Sequence, residues 1–91
     1  MLESRMEKRI RQKVIELGGM FVKFVSPNFA GVPDRILLLN GKIFFVELKT
    51  PKGRLSKRQQ RVHQMFKDQG FEPWIIHSEE DFKKYINKYL T

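Results

Sequence analysis

Asn40-Gly41 restricts the fold of this chain more than any other feature. It sits between two apolar runs, Arg35 to Leu39 and Ile43 to Leu48. A two-residue type I′ turn needs consecutive residues with positive φ, and Asn-Gly supplies them at low steric cost. The two runs are therefore expected to pair as antiparallel strands. Counting outward from the turn, Leu39 faces Lys42, Leu38 faces Ile43 and Ile36 faces Phe45. One step further, Asp34 faces Glu47.

Directly opposed side chains on one face of a hairpin stand about 4.5–5.5 Å apart at Cβ, and like charges there repel. Lys49 lies two residues beyond Glu47, so alternation returns it to the same face. Asp34, Glu47 and Lys49 are thus expected as one cluster at the open end of the hairpin. Hard carboxylate oxygens suit Mg²⁺ or Mn²⁺, which keep several waters and take one or two carboxylates together with phosphate oxygens. Such an ion can lower the pKa of a bound water and neutralise charge on a phosphodiester, while Lys49 orients the water or stabilises the transition state. The plainer alternative makes Asp34 a turn residue after Pro33, with Glu47 and Lys49 as strand-end surface charges.

Around the hairpin the chain reads as alternating helices and strands. Leu2, Met6, Ile10, Val14 and Leu17 recur at steps of three or four, predicting a helix over 2–17 that stops at Gly18-Gly19. Residues 20–25 are β-branched and aromatic and predict a strand. Residues 26–33 carry Pro27, Asn28, Gly31 and Pro33 and predict a loop. A basic loop covers 49–54, and Ser56 is expected to cap a helix running to Gln69, with Gly70 as its stop. Residues 71–77 predict a strand whose Pro73 favours a sheet edge or a bulge. Ser78 caps a last helix, with Glu79, Glu80 and Asp81 in its first turn where the helix dipole favours them. The fold class expected is α/β: an α-β-β-β-α-β core in which a small mixed sheet is flanked by helices, plus a C-terminal helix.

Composition narrows the partner. The chain has 91 residues, 18 Lys+Arg against 10 Asp+Glu, and a formal charge of +8. That length predicts one domain over 1–91, and that charge points to a polyanion, with nucleic acid ahead of an anionic membrane surface. A hydrophobic content of 41% argues for a folded domain rather than a basic tail. There is no cysteine, so neither disulfides nor Cys-based zinc enter. No apolar run approaches the roughly 18 residues of a membrane span. The first eleven residues alternate charge and lack a signal-peptide core, so a cytoplasmic protein is expected.

The residues also match a known pattern. Pro33-Asp34 followed by Glu47-Leu48-Lys49 resembles the PD-(D/E)XK nuclease superfamily. The order Gly31 to Leu39, then Phe45 to Thr50, then Leu55-Ser56-Lys57-Arg58-Gln59, then Gly70-Phe71 resembles its VRR-NUC (virus-type replication-repair nuclease) branch, from about residue 3 to residue 82. The resemblance implies a restriction-endonuclease-like fold and a metal-dependent DNA endonuclease using Mg²⁺ or Mn²⁺. It implies Asp34 and Glu47 as metal ligands, the Leu48 carbonyl as a further ligand and Lys49 as the catalytic lysine. The family's amino-terminal acidic residue falls on Glu3, fifteen residues before Gly18 and the better spacing match, or on Glu7 one turn later. The family glutamine falls on Gln59. Stand-alone members are homodimers acting on branched DNA, in particular four-way Holliday junctions. Partners implied are therefore DNA and a second copy, with no membrane and no small-molecule substrate. The small size fits a phage or mobile-element origin; if phage-encoded, the protein would act in the host cytoplasm.

Each assignment has a structural counterpart. Glu7 can pair with Arg11 on an ordinary solvated helix. Gln59 completes a capping box with Ser56, a role compatible with one at the site. Lys52, Arg54, Lys57, Arg58 and Arg61 are assigned to DNA phosphates, because they follow the site and open a helix whose N-terminus attracts phosphate. Arg35 is expected on the opposite face from Asp34, as a structural partner or phosphate contact. His63 and His77 lack zinc spacing and are expected at the surface or in caps. Phe71, Trp74 and Ile76 are expected in the core, and any exposed Phe would mark a subunit interface. Two alternatives stand beside the resolvase expectation: a non-catalytic basic module that binds nucleic acid, and a nuclease of the same fold acting on flaps or duplex ends.

Overall fold

A computed structural model describes the backbone of residues 2–90 and the side chains of residues 5–90. Its elements run α1 (Leu2–Glu16), β1 (Met20–Lys23), β2 (Arg35–Leu39), β3 (Lys42–Leu48), α2 (Lys57–Asp68), β4 (Trp74–Ile76) and α3 (Glu79–Leu90). The four strands form one sheet in the order β1-β2-β3-β4. The first three are antiparallel, and α2 carries the chain across so that β4 runs parallel to β3.

The hairpin forms as its turn residues dictate. Asn40 and Gly41 have φ of 53° and 76°, and Leu39 pairs with Lys42. The register then holds to Arg35 opposite Val46. Because side chains alternate, Leu37, Leu39, Val46 and Leu48 share one face with Phe21, Trp74 and Ile76, and all are buried. Against this face lie Met6, Ile10 and Val14 of α1 and Phe82 of α3, closing one core cluster. Trp74 stacks on Tyr85 with ring centroids 5.0 Å apart.

The other face carries Ile36, Phe45 and Glu47, and α2 covers only part of it. Phe66 of α2 meets Phe45 edge-on at 4.9 Å. Beyond that contact Met20, Leu38 and Ile43 form one cross-strand row that stays exposed.

Several boundaries differ from the sequence expectation. Strand β1 ends at Lys23, not at residue 25: Phe24 N–H still bonds Asp34 O at 2.9 Å, and the chain then leaves into the 26–33 loop. Strand β4 begins at Trp74, after Pro73, and is a sheet edge as expected. Helix α1 ends at Glu16, so Leu17 leaves the apolar stripe and is exposed. Phe71 precedes β4 and is also exposed rather than core.

Gly31 sets the approach of the 26–33 loop to α2. Its φ is +92°, and a Cβ there would meet Val62 at 3.0 Å and Arg58 at 3.1 Å. That close approach fixes the chain just before Pro33 and Asp34.

Candidate active site

Glu47 is the centre of the site. It lies in β3 on the α2-covered face and is 3% exposed. Gln59, in the first turn of α2, donates from Nε2 to Glu47 Oε2 at 3.3 Å. Lys49 Nζ stands 3.6 Å from the same oxygen and donates to Gln59 Oε1 at 3.2 Å. Gln59 Oε1 also accepts from the Ser56 N–H at 2.9 Å, while Gln59 N donates to Ser56 Oγ at 3.0 Å. The capping box is therefore present, and two donors on Oε1 fix which way the amide points. One side chain caps α2 and joins Lys49 to Glu47.

Asp34 approaches from the other strand. The ladder stops one pair short of it, and its carboxylate turns to the end of β3, where Oδ1 accepts from the Leu48 N–H at 3.2 Å. Lys49 N–H bonds to β4 at Ile76 O, so Leu48, one residue earlier, points its N–H and C=O to the β2 side, towards Asp34. Arg35, on the opposite face as expected, reaches back to donate to Asp34 O at 3.0 Å. Its Nε stands 3.6 Å from Glu7 Oε2, so it ties α1 to the start of β2 as a structural pair. Glu7 also meets Arg11 at 3.8 Å. The Glu3 side chain lies outside the described residues; its backbone is one turn before Glu7 on α1.

Among the described residues, no three acidic, His or Cys groups converge as a metal cage. The site offers two carboxylates, Asp34 and Glu47, and the Leu48 carbonyl directed to the same side. That donor set fits a hard divalent ion whose remaining positions go to water and phosphate oxygens. Glu47 Oε1 adds to the fit: it is buried and accepts no hydrogen bond.

His63 departs from expectation. It is buried, not at the surface, and its Nε2 stands 3.5 Å from Glu47 Oε1 without hydrogen-bond geometry. It lies one helical turn beyond Gln59, so the i,i+4 spacing was the signal that links it to the same carboxylate. His77 lies just before α3: its backbone N–H donates to Asp81 Oδ2, and its ring Nε2 meets Gly53 O of the basic loop at 3.0 Å.

The assigned DNA contacts Lys52, Arg54, Lys57, Arg58 and Arg61 are all exposed, along the loop after Lys49 and the first turns of α2. Arg58 differs from the rest. Its Nε donates to Ala30 O at 3.2 Å and its guanidinium stacks 5.2 Å from the Phe29 ring, so it anchors the 26–33 loop.

Three comparisons bear on this arrangement. The family profile described as "VRR-NUC domain" matches residues 3–80. A protein named "Putative nuclease p44" from Acyrthosiphon pisum secondary endosymbiont phage 1 is 39% identical over 79 residues, covering 86% of this chain and 85% of that one. A solved structure titled "VRR_NUC domain" superposes with a TM-score of 0.88 at 28% identity, covering 98% of both chains.

Proposed function

The chain belongs to the VRR-NUC domain family, and on that premise we propose that it is a metal-dependent, structure-selective DNA endonuclease acting as a homodimer on branched DNA, in particular four-way junctions. The observation that carries the reading is the bonded set of Glu47, Lys49 and Gln59 beside Asp34 at one end of the sheet.

In this reading Asp34, Glu47 and the Leu48 carbonyl hold Mg²⁺ or Mn²⁺, with Glu3 or Glu7 assisting from α1. The ion supplies Lewis acidity towards the phosphodiester. Lys49 presents its ammonium to the attacking water or to the charge growing on the phosphate, an interaction that strengthens in the transition state. Gln59 positions Lys49 through Oε1 and Glu47 through Nε2, so neither side chain reorganises during the reaction. Lys52, Arg54, Lys57 and Arg61 grip flanking phosphates, which position the duplex without reading sequence. Among the described residues no helix is long and apolar enough to cross a membrane.

The test uses a labelled four-way junction and a linear duplex of the same sequence, with and without Mn²⁺. Metal-dependent cutting that favours the junction is expected. Cutting without metal would overturn the metal reading, and equal rates on both substrates would overturn the junction reading.

The homodimer draws support from the uncovered sheet face. Met20, Leu38 and Ile43 are 57%, 38% and 38% exposed in one row, a continuous apolar strip of the kind that marks interfaces. A dimer would present two sites, one for each strand cut in a four-way junction. Leu38→Glu is expected to convert dimers to monomers in light scattering at micromolar concentration. A wild-type protein that is already monomeric there would sink the dimer.

A further inference from the structure

Lys49 borders two parts of the molecule. Towards α2 it bonds Gln59. Towards α1 it lines a cleft of about 250 Å³ whose other walls include Arg5, Arg9, Thr50, Ser78 and Glu79. Arg5 and Arg9 are one turn apart on α1 and so present to the same side. Apart from Lys49, whose ammonium is bonded to Gln59, the named walls carry two cations, two hydroxyls and one carboxylate. Glu79 Oε2 accepts from Arg9 Nη1 at 2.9 Å, with the arginine side chain 67% exposed. None of the cations assigned to DNA between Lys52 and Arg61 lines this cleft.

We propose that this cleft is a second phosphate-binding site, which holds a phosphodiester of the substrate strand adjacent to the one at Lys49. The inference rests on the nuclease reading and extends it to the path of the strand. Because Lys49 is common to the site and the rim of the cleft, a strand whose scissile phosphate sits at Lys49 would run past the cleft. Arg5 and Arg9 meet that phosphate, and the hydroxyls of Thr50 and Ser78 can donate to its oxygens. Glu79 occupies Arg9 in the free protein and is an internal competitor for the same cation. DNA is then held by cations of α2 and of α1.

The experiment measures binding of labelled junction by fluorescence anisotropy without divalent cation, across a range of salt. Wild type is compared with Arg5→Glu, Glu79→Gln and, on the α2 flank, Lys57→Glu. Metal-dependent cutting of the same DNA by wild type is followed in parallel. One neutralised phosphate contact is worth about 0.9 in the slope of log K against log salt, or roughly eightfold between 1 M and 0.1 M. Arg5→Glu is expected to weaken binding by about eightfold or more at ~0.1 M salt and to lower the slope by about one. Glu79→Gln is expected to tighten binding, a gain that misfolding cannot produce. A neutral methylphosphonate placed next to the scissile position should weaken wild type and leave Arg5→Glu no weaker. The cleft is overturned if Arg5→Glu and Glu79→Gln bind like wild type while Lys57→Glu binds less and wild type still cuts. If wild type neither binds nor cuts DNA, the nuclease reading fails and the cleft falls with it.

Discussion

Asp34→Asn is expected to abolish cleavage while sparing or tightening DNA binding. The amide retains an oxygen where Asp34 Oδ1 accepts the Leu48 N–H, so the end of β3 keeps its anchor. The substitution removes one negative charge from the place where a cation is to be held and a phosphate approached. Loss of a group that stabilises charge in the transition state typically costs about 10²–10³ in rate, and loss of a metal ligand at least as much. Lys49→Ala belongs to the same range, because it removes the ammonium that Gln59 holds in place. Single-turnover cutting of a labelled junction and anisotropy on the same DNA separate chemistry from binding. Either variant cutting within about tenfold of wild type would refute its assigned role. A non-catalytic binding module, by contrast, cuts in no metal and loses nothing to these changes.

Glu47→Gln and His63→Ala should move stability in opposite directions. Glu47 is 3% exposed, and its Oε1 is buried without a hydrogen bond. A buried polar atom left unsatisfied costs about 1–3 kcal/mol. A glutamine retains an oxygen for Gln59 Nε2 and turns an amide donor towards a His63 ring nitrogen, itself unsatisfied. Glu47→Gln is therefore expected to stabilise the fold by about 1 kcal/mol while eliminating cleavage. His63→Ala removes a buried ring and leaves a void beside the carboxylate, at a cost of about 2 kcal/mol or more. For a domain whose whole stability is on the order of 5–10 kcal/mol, both shifts are visible in urea titrations. The penalty of His63→Ala should also change by more than about 0.5 kcal/mol in the Glu47→Gln background. Additive effects would show that the histidine and the carboxylate do not interact.

The difference between His63 and the hairpin residues explains how far the sequence could be read. Asp34, Glu47 and Lys49 came together on the strength of one local rule: a two-residue turn fixes every pairing outward from it. Gln59 was legible for the same reason, since a capping box needs only four consecutive residues. His63 depends on something no local rule contains, the angle at which α2 crosses the sheet. Helical spacing ties it to Gln59, but only the crossover that makes β4 parallel to β3 brings both above Glu47. Arg58 is similar. As part of a basic run it reads as a phosphate contact, and only the loop folded against α2 shows it bonded to Ala30 and stacked on Phe29. The outward tilt of Leu17 and Phe71 has a simpler cause: each lies just past the end of a regular element, where periodicity no longer says which way a side chain points.

Gln59 makes two ordinarily separate things one. The same amide that terminates α2 at Ser56 also bridges Lys49 and Glu47. Helix ends open more readily than helix centres, and in most proteins such opening is without consequence. Here, melting the first turn of α2 releases the lysine and the carboxylate together. The assembled constellation therefore exists only in molecules whose helix has closed, and the proposed nuclease centre is as persistent as a single turn of helix.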